Sequence, residues 1–154
     1  MLKKAITSKQ NDWLLPKSNH PIYNYGHNFS SAYDLYMFLK YSNHTAGQEA
    51  IQNPMTSIGE QKVGYKGSGS NYKESKQDII NMHTCLILKI ERNPELEKML
   101  LATGNATIIV EEKNVSFGSL LFWGAVKVKG KWKGKNNLGK LWMKIRKELQ
   151  SCQH

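Results

Sequence analysis

The stretch LLFWGAVKVKGKWKGKNNLGK, Leu120 to Lys140, has three parts in fixed order. The apolar LLFWGA runs into Val126 and Val128 and reads as a strand. A lysine-rich run punctuated by glycine extends to Asn137. A helical pattern then begins at Leu138, with Leu141, Trp142, Ile145 and Leu149 completing its apolar stripe. Gly134-Lys135-Asn136 feeds the start of that helix among many cations, an arrangement that suits phosphate or another anionic ligand.

Upstream, the chain reads as more helices than strands. Ser30 and Ser31 are N-cap candidates for SAYDLYMFLKYS, with Asp34 in the first turn. Tyr33, Tyr36 and Lys40 fall at i, i+3 and i+7 and so share a face. Thr45 to Ile51 and a piece starting at Thr56 or Ser57 read as short helices, and Gly64 to Tyr72 as a flexible stretch. A long helix follows from about Lys73 to Ile90, with Ile79, Met82, Leu86, Ile87 and Ile90 as its buried stripe. In NPELEKMLLATG, Asn93 caps, Pro94 takes the first helical position and Gly104 closes. ATIIVEE reads as a short strand. The expected fold class is mainly α (α+β), a single domain of several helices with a small sheet. Residues 1–12 are expected to be a loose N-terminal segment and 13–150 the domain.

With 154 residues, the chain is one domain by length and can bury a core without staples. Its net charge of +10 attracts anionic partners. No apolar run approaches the roughly 18–20 residues of a membrane span. The start lacks a secretory h-region, so cytoplasmic residence is the expectation and no membrane partner is. Cys85 and Cys152 suggest no disulfide framework, and no metal or other cofactor is expected.

NPELEKMLLATGNATIIVEE, then FWG, then GKNNLGKLWMKIRKEL closely resembles the C-terminal half of the NADAR, or YbiA-like, family. Pro21, Ile22 and Gly26 ahead of YDLYMFLK resemble the more diverged N-terminal half, with Tyr36 and Lys40 on the family's Tyr and Lys. The resemblance spans about residues 13–150. It implies an N-glycosidase (a hydrolase acting on N-glycosyl bonds) that cleaves the C–N bond between ribose C1′ and a nitrogen. Substrates would be ribosylated or ADP-ribosylated nucleobases, of the ADP-ribosyl-guanine or ribosylamino-pyrimidine type. The partner would then be an anionic ribosylated nucleotide, an ADP-ribose-like small molecule, or ADP-ribosylated nucleic acid.

Tyr33 stands where the family has a Glu, Asp34 where it often has His, and Leu120 where it places an Asp. Two carboxylates that could stabilise an oxocarbenium-like centre or activate water are thus absent from their expected places. Lys40 becomes the leading catalytic candidate, since an amine can form a Schiff base with opened ribose. Asp34 and Tyr33 are the other catalytic candidates, and Glu111 and Glu112 are conceivable substitute carboxylates. Ligand contacts are expected from Tyr36, Trp123, Gly124, Lys135, Asn136 and Gly139, with Trp123 as a wall for a base or ribose. The alternative to an enzyme is a catalytically impaired module of the same fold that binds ADP-ribose-like ligands or modified nucleic acid.

Overall fold

A computed structural model describes residues 4–41, 75–111 and 121–152 of the chain. The expected short helices after Thr45 and Thr56, the glycine-serine stretch, Glu112 and Leu120 lie outside the described residues. Within them, four α-helices surround three small two-stranded ladders, an α+β architecture in which helix predominates. None of these helices is long and apolar enough to cross a membrane.

Residues 6–8, part of the segment expected to be loose, are paired into the fold. β1 (Ile6–Thr7) pairs in parallel with β4 (Ile108–Ile109), Ile6 opposite Ile108 and Thr7 opposite Ile109. The Ser8 amide continues the ladder onto the Ile109 carbonyl, and its hydroxyl accepts the Glu111 amide. Ile6 packs against the core, which gives this polar-looking segment its reason to order. A single 3-10 turn, Asp12–Leu14, then buries Trp13 and Leu14.

β2 (Ile22–Asn24) and β3 (His27–Phe29) form a hairpin whose turn residues Tyr25 and Gly26 are both left-handed. α1 (Ala32–Lys40) follows. Ser31 caps it by accepting the Asp34 amide, and the carboxylate lies at the positive end of the helix. α2 (Lys76–Arg92) starts where the Asp78 carboxylate accepts the Ser75 amide. It buries Met82, Cys85, Leu86 and Ile90, while Ile79 and Ile87 are only half-buried. α3 (Glu95–Ala102) ends at Gly104 as expected, and Gly104 takes a positive φ of 63°. Asn93 does not cap α3 with its side chain; its amide donates to the carbonyls of Lys89 and Pro21 and so ties the end of α2 to the start of β2.

LLFWGAVKV is not one strand. Leu121 has a φ of 66°, residues 121–124 turn, and only Val126–Val128 is strand. That strand, β5, pairs antiparallel with β6 (Lys131–Lys133), and α4 (Asn137–Cys152) closes the chain. One apolar cluster joins the parts: Trp13 and Leu14, Tyr36 of α1, Leu86 of α2, Leu100 of α3, Trp123, and Trp142 and Ile145 of α4. Trp13 meets Trp142 edge-on with centroids 5.6 Å apart, and the Trp142 indole donates to the Leu14 carbonyl at 2.9 Å.

Candidate functional site

α1 and the turn after Leu120 are remote in sequence and adjacent in space. The Lys40 ammonium lies 5.6 Å from the centre of the Tyr36 ring and 5.8 Å from that of Tyr41. Tyr36 meets Trp123 edge-on, with centroids 5.7 Å apart and planes at 85°. Trp123 meets Phe122 in the same way, at 4.9 Å and 88°. The Lys135 ammonium lies 5.5 Å from the Phe122 ring. Three aromatic rings thus form a row with a lysine at each end. Each contact matches the negative ring face to a cation or to a positive ring edge.

The row corrects the role expected of Trp123. Its exposure is 0%, and Tyr36 is 1% exposed, so neither offers an open face for a base or ribose to stack on. Both belong to the core that sets where Lys40 and Phe122 stand. Tyr33 is half-buried on the face it shares with Tyr36, and the Lys17 ammonium lies 4.4 Å from its ring centre. Asp34 sits about 100° around the helix from Tyr33. Its carboxylate accepts the Ser30 hydroxyl, and its amide donates to Ser31.

At the start of α4, where the sequence suggested an anion site, several amides are turned to the preceding turn. The amides of Lys135, Asn136 and Leu138 donate to the carbonyls of Leu121, Gly124 and Trp123 at 2.7–3.1 Å. The Asn137 side chain donates to the Phe122 carbonyl at 2.8 Å. These donors are spent on the turn, and Gly124 serves here through its carbonyl.

Asn136, also expected to touch ligand, is 8% exposed and clamps β4 instead. Its carboxamide oxygen accepts the Val110 amide at 3.0 Å, and its nitrogen donates to the Ile108 carbonyl at 2.9 Å. It thereby takes the place of a peptide group in a neighbouring strand. The backbone reaches this position with a φ of 51°, which Asn tolerates. A Cβ on Gly139 would collide with the Ile108 carbonyl and the Asn136 side chain. A Cβ on Gly134 would collide with the Gly124 carbonyl. The G-x-N-x-L-G spacing is therefore the joint between α4, β4 and the turn.

Lys89 is the residue that the sequence reading missed. It lies three residues after Leu86 and four after Cys85, on the buried stripe of α2, and that position was its signal. It is fully buried, and its Nζ donates to the carbonyls of Trp13 (2.6 Å) and Leu15 (2.8 Å) and to Ser18 Oγ (2.6 Å). Ser18 Oγ lies 2.9 Å from Nδ1 of His20. Three oxygens suit an ammonium, but burial acts against the charge and prevails, pushing the Lys89 pKa down to about 7. Burial and the nearby Lys89 charge lower the His20 pKa as well. Arg146 donates to Thr103 Oγ1 and the Ala106 carbonyl, each at 2.8 Å, and ties α4 to the end of α3.

Glu111 bridges Ala125, two residues past Trp123. Its Oε2 is buried and has no hydrogen-bond partner among the described residues. A carboxylate oxygen held out of water without a donor is costly, and such groups concentrate where ligands or protons are handled.

A family model described as the NADAR domain matches residues 5–150. A protein named as an N-glycosidase from Acanthamoeba polyphaga mimivirus is 44% identical over 71 residues, a match covering 41% of this chain and 39% of that protein. The chain thus spans about two fifths of that relative's length. The NMR structure of the E. coli protein YbiA superposes with a TM-score of 0.71 at 23% identity, covering 100% of this chain and 90% of that one.

Proposed function

We propose, from the premise that this chain belongs to the NADAR domain family, that it is an N-glycosidase cleaving the bond between ribose C1′ and the nitrogen of a ribosylated or ADP-ribosylated nucleobase. The observation that carries the reading is the contact of Lys40 with Tyr36 and of Tyr36 with Trp123, which joins the two parts of the chain that resemble the family. The N-glycosidase name of the viral relative supports the reaction type.

In this reading Lys40 attacks C1′ as the neutral amine. A bond forms between Nζ and C1′ while the bond from C1′ to the base nitrogen breaks. The proton that the amine sheds balances the one the departing base gains. The opened ribose is then held as a Schiff base, and water releases it. Tyr33, on the same face of α1, can hand a hydrogen bond to the leaving nitrogen. Glu111 is the carboxylate best suited to steady positive charge at C1′ or to activate the water, because its Oε2 is buried without a donor among the described residues. Asp34 is less suited, since its carboxylate already accepts the Ser30 hydroxyl.

The engagement of Asp34 favours one other reading, a binding module of the same fold without turnover. Incubation with ADP-ribosylated guanosine separates the two. Release of free guanine that is lost in Lys40→Ala supports the enzyme. Saturable binding of ADP-ribose with no guanine released supports the module.

A further inference from the structure

We propose that the β5–β6 hairpin is a docking platform for single-stranded nucleic acid. It rests on residues other than those of the aromatic row, and it stands whether or not the glycosidase reading does. The hairpin turns at Lys129 and Gly130, both left-handed (φ 50° and 78°), the primed turn that matches strand twist. The register sets Lys127 opposite Trp132, Val128 opposite Lys131 and Val126 opposite Lys133. Residues opposite each other share a face. Lys131 and Lys133 therefore project from one face, Lys127 and Trp132 from the other, and Lys129 from the tip.

All four of Lys127, Lys129, Lys131 and Lys133 are exposed, and none forms an ion pair among the described residues. The sequence offers them little compensation nearby. From Lys113 to Lys147 there are ten Lys and Arg and no Asp or Glu. An ordinary solvated surface intersperses both signs, whereas a one-sign segment this long is built for a polyanion.

Trp132 decides which polyanion. It is half-buried, unlike Trp13, Trp123 and Trp142, which are buried. The Lys127 ammonium lies 5.6 Å from the centre of its ring system. An accessible indole paired with a cation takes a base and its phosphate together, the combination that single-strand-binding surfaces use. Stacked duplex bases do not present their faces to it, and sulfated sugars have none to present.

Fluorescence anisotropy with labelled oligo(dT), across a salt series, tests this. The protein is expected to bind with a log–log salt slope near −1.5, at about −0.7 for each phosphate neutralised by Lys127 on the Trp132 face and by Lys129 at the tip. Replacing Lys127, Lys129, Lys131 and Lys133 together by Ala should remove most of that slope and weaken binding at least roughly tenfold. Trp132→Ser should weaken binding roughly fivefold or more with the slope retained. Melting temperatures near wild type would establish that both variants fold. Lysine acetylation of the wild-type protein gives a second reading, with oligo(dT) expected to protect the hairpin lysines selectively. The proposal is overturned by absence of binding at low salt, by unchanged binding in the quadruple variant, by unprotected hairpin lysines, or by heparin or duplex DNA competing as well as oligo(dT).

Discussion

The indole of Trp123 abuts the phenol ring of Tyr36 edge-on, 5.7 Å between centroids, and this contact fixes the turn of residues 121–124 against α1. Both rings are buried, so the pair acts through the groups it positions. Trp123→Ala is expected to cost about 3–5 kcal/mol, the range for emptying an aromatic site in a core. Trp123→Phe should cost less and keep the fold. Chemical denaturation measures both. A loss well below 1 kcal/mol for Trp123→Ala would mean that the ring is not core.

Glu111 carries a prediction with opposite signs for stability and activity. Glu111→Gln removes a charge whose Oε2 is buried without a partner among the described residues, so stability should hold or rise. If the carboxylate serves C1′ or the water, kcat should fall on the order of 100-fold. Melting temperature and base-release kinetics on the same preparation check the two together.

Asn136 and Gly139 are expected to matter for folding before they matter for ligand. Asn136→Ala strands the Val110 amide and the Ile108 carbonyl, both inside the protein, at a cost of about 2–3 kcal/mol. Gly139→Ala pushes a methyl group into the Ile108 carbonyl and should cost about 1–3 kcal/mol. Urea unfolding midpoints give the comparison. Asn136→Asp should not rescue, because it replaces the donor facing the Ile108 carbonyl with an acceptor.

The Lys89, Ser18 and His20 cluster makes stability depend on pH. Lys89 has a folded pKa of about 7, below its unfolded value of about 10.4. Between those values the unfolded chain holds more protons, so stability from this group rises with pH from about 7 upward. The lowered His20 pKa acts in the same direction just below its ordinary value of 6.5, where acidification destabilises the fold. Unfolding free energy measured from pH 5 to 9 should therefore climb, and Lys89→Met should flatten the part above pH 7.

The helices were legible in the sequence because an apolar stripe at helical spacing is a local signal. The row of Lys40, Tyr36 and Trp123 was legible only in outline, through the resemblance of two separate segments to one family. Burial of Trp123 and the hydrogen-bond partners of Asn136 were not, since both depend on which carbonyls and rings arrive from elsewhere in the chain. A Gly-x-Asn before a helix reads the same whether its donors face a phosphate or a turn. The pairing of Ile6 with Ile108 crosses about two thirds of the chain, and no short-range pattern announces it. A lysine on an apolar stripe is usually a snorkelling surface residue, whereas at Lys89 three oxygens meet the Nζ in the interior.

Borohydride trapping bears most directly on the role of Lys40. The protein is incubated with ADP-ribosylated guanosine, the mixture is reduced during turnover, and the modified residue is mapped by peptide mass spectrometry. Guanine release should be accompanied by a ribose adduct reduced onto Lys40, and both should vanish in Lys40→Ala. Guanine release that persists in Lys40→Ala, or an adduct mapped to another residue, would contradict the assignment of Lys40 as the nucleophile.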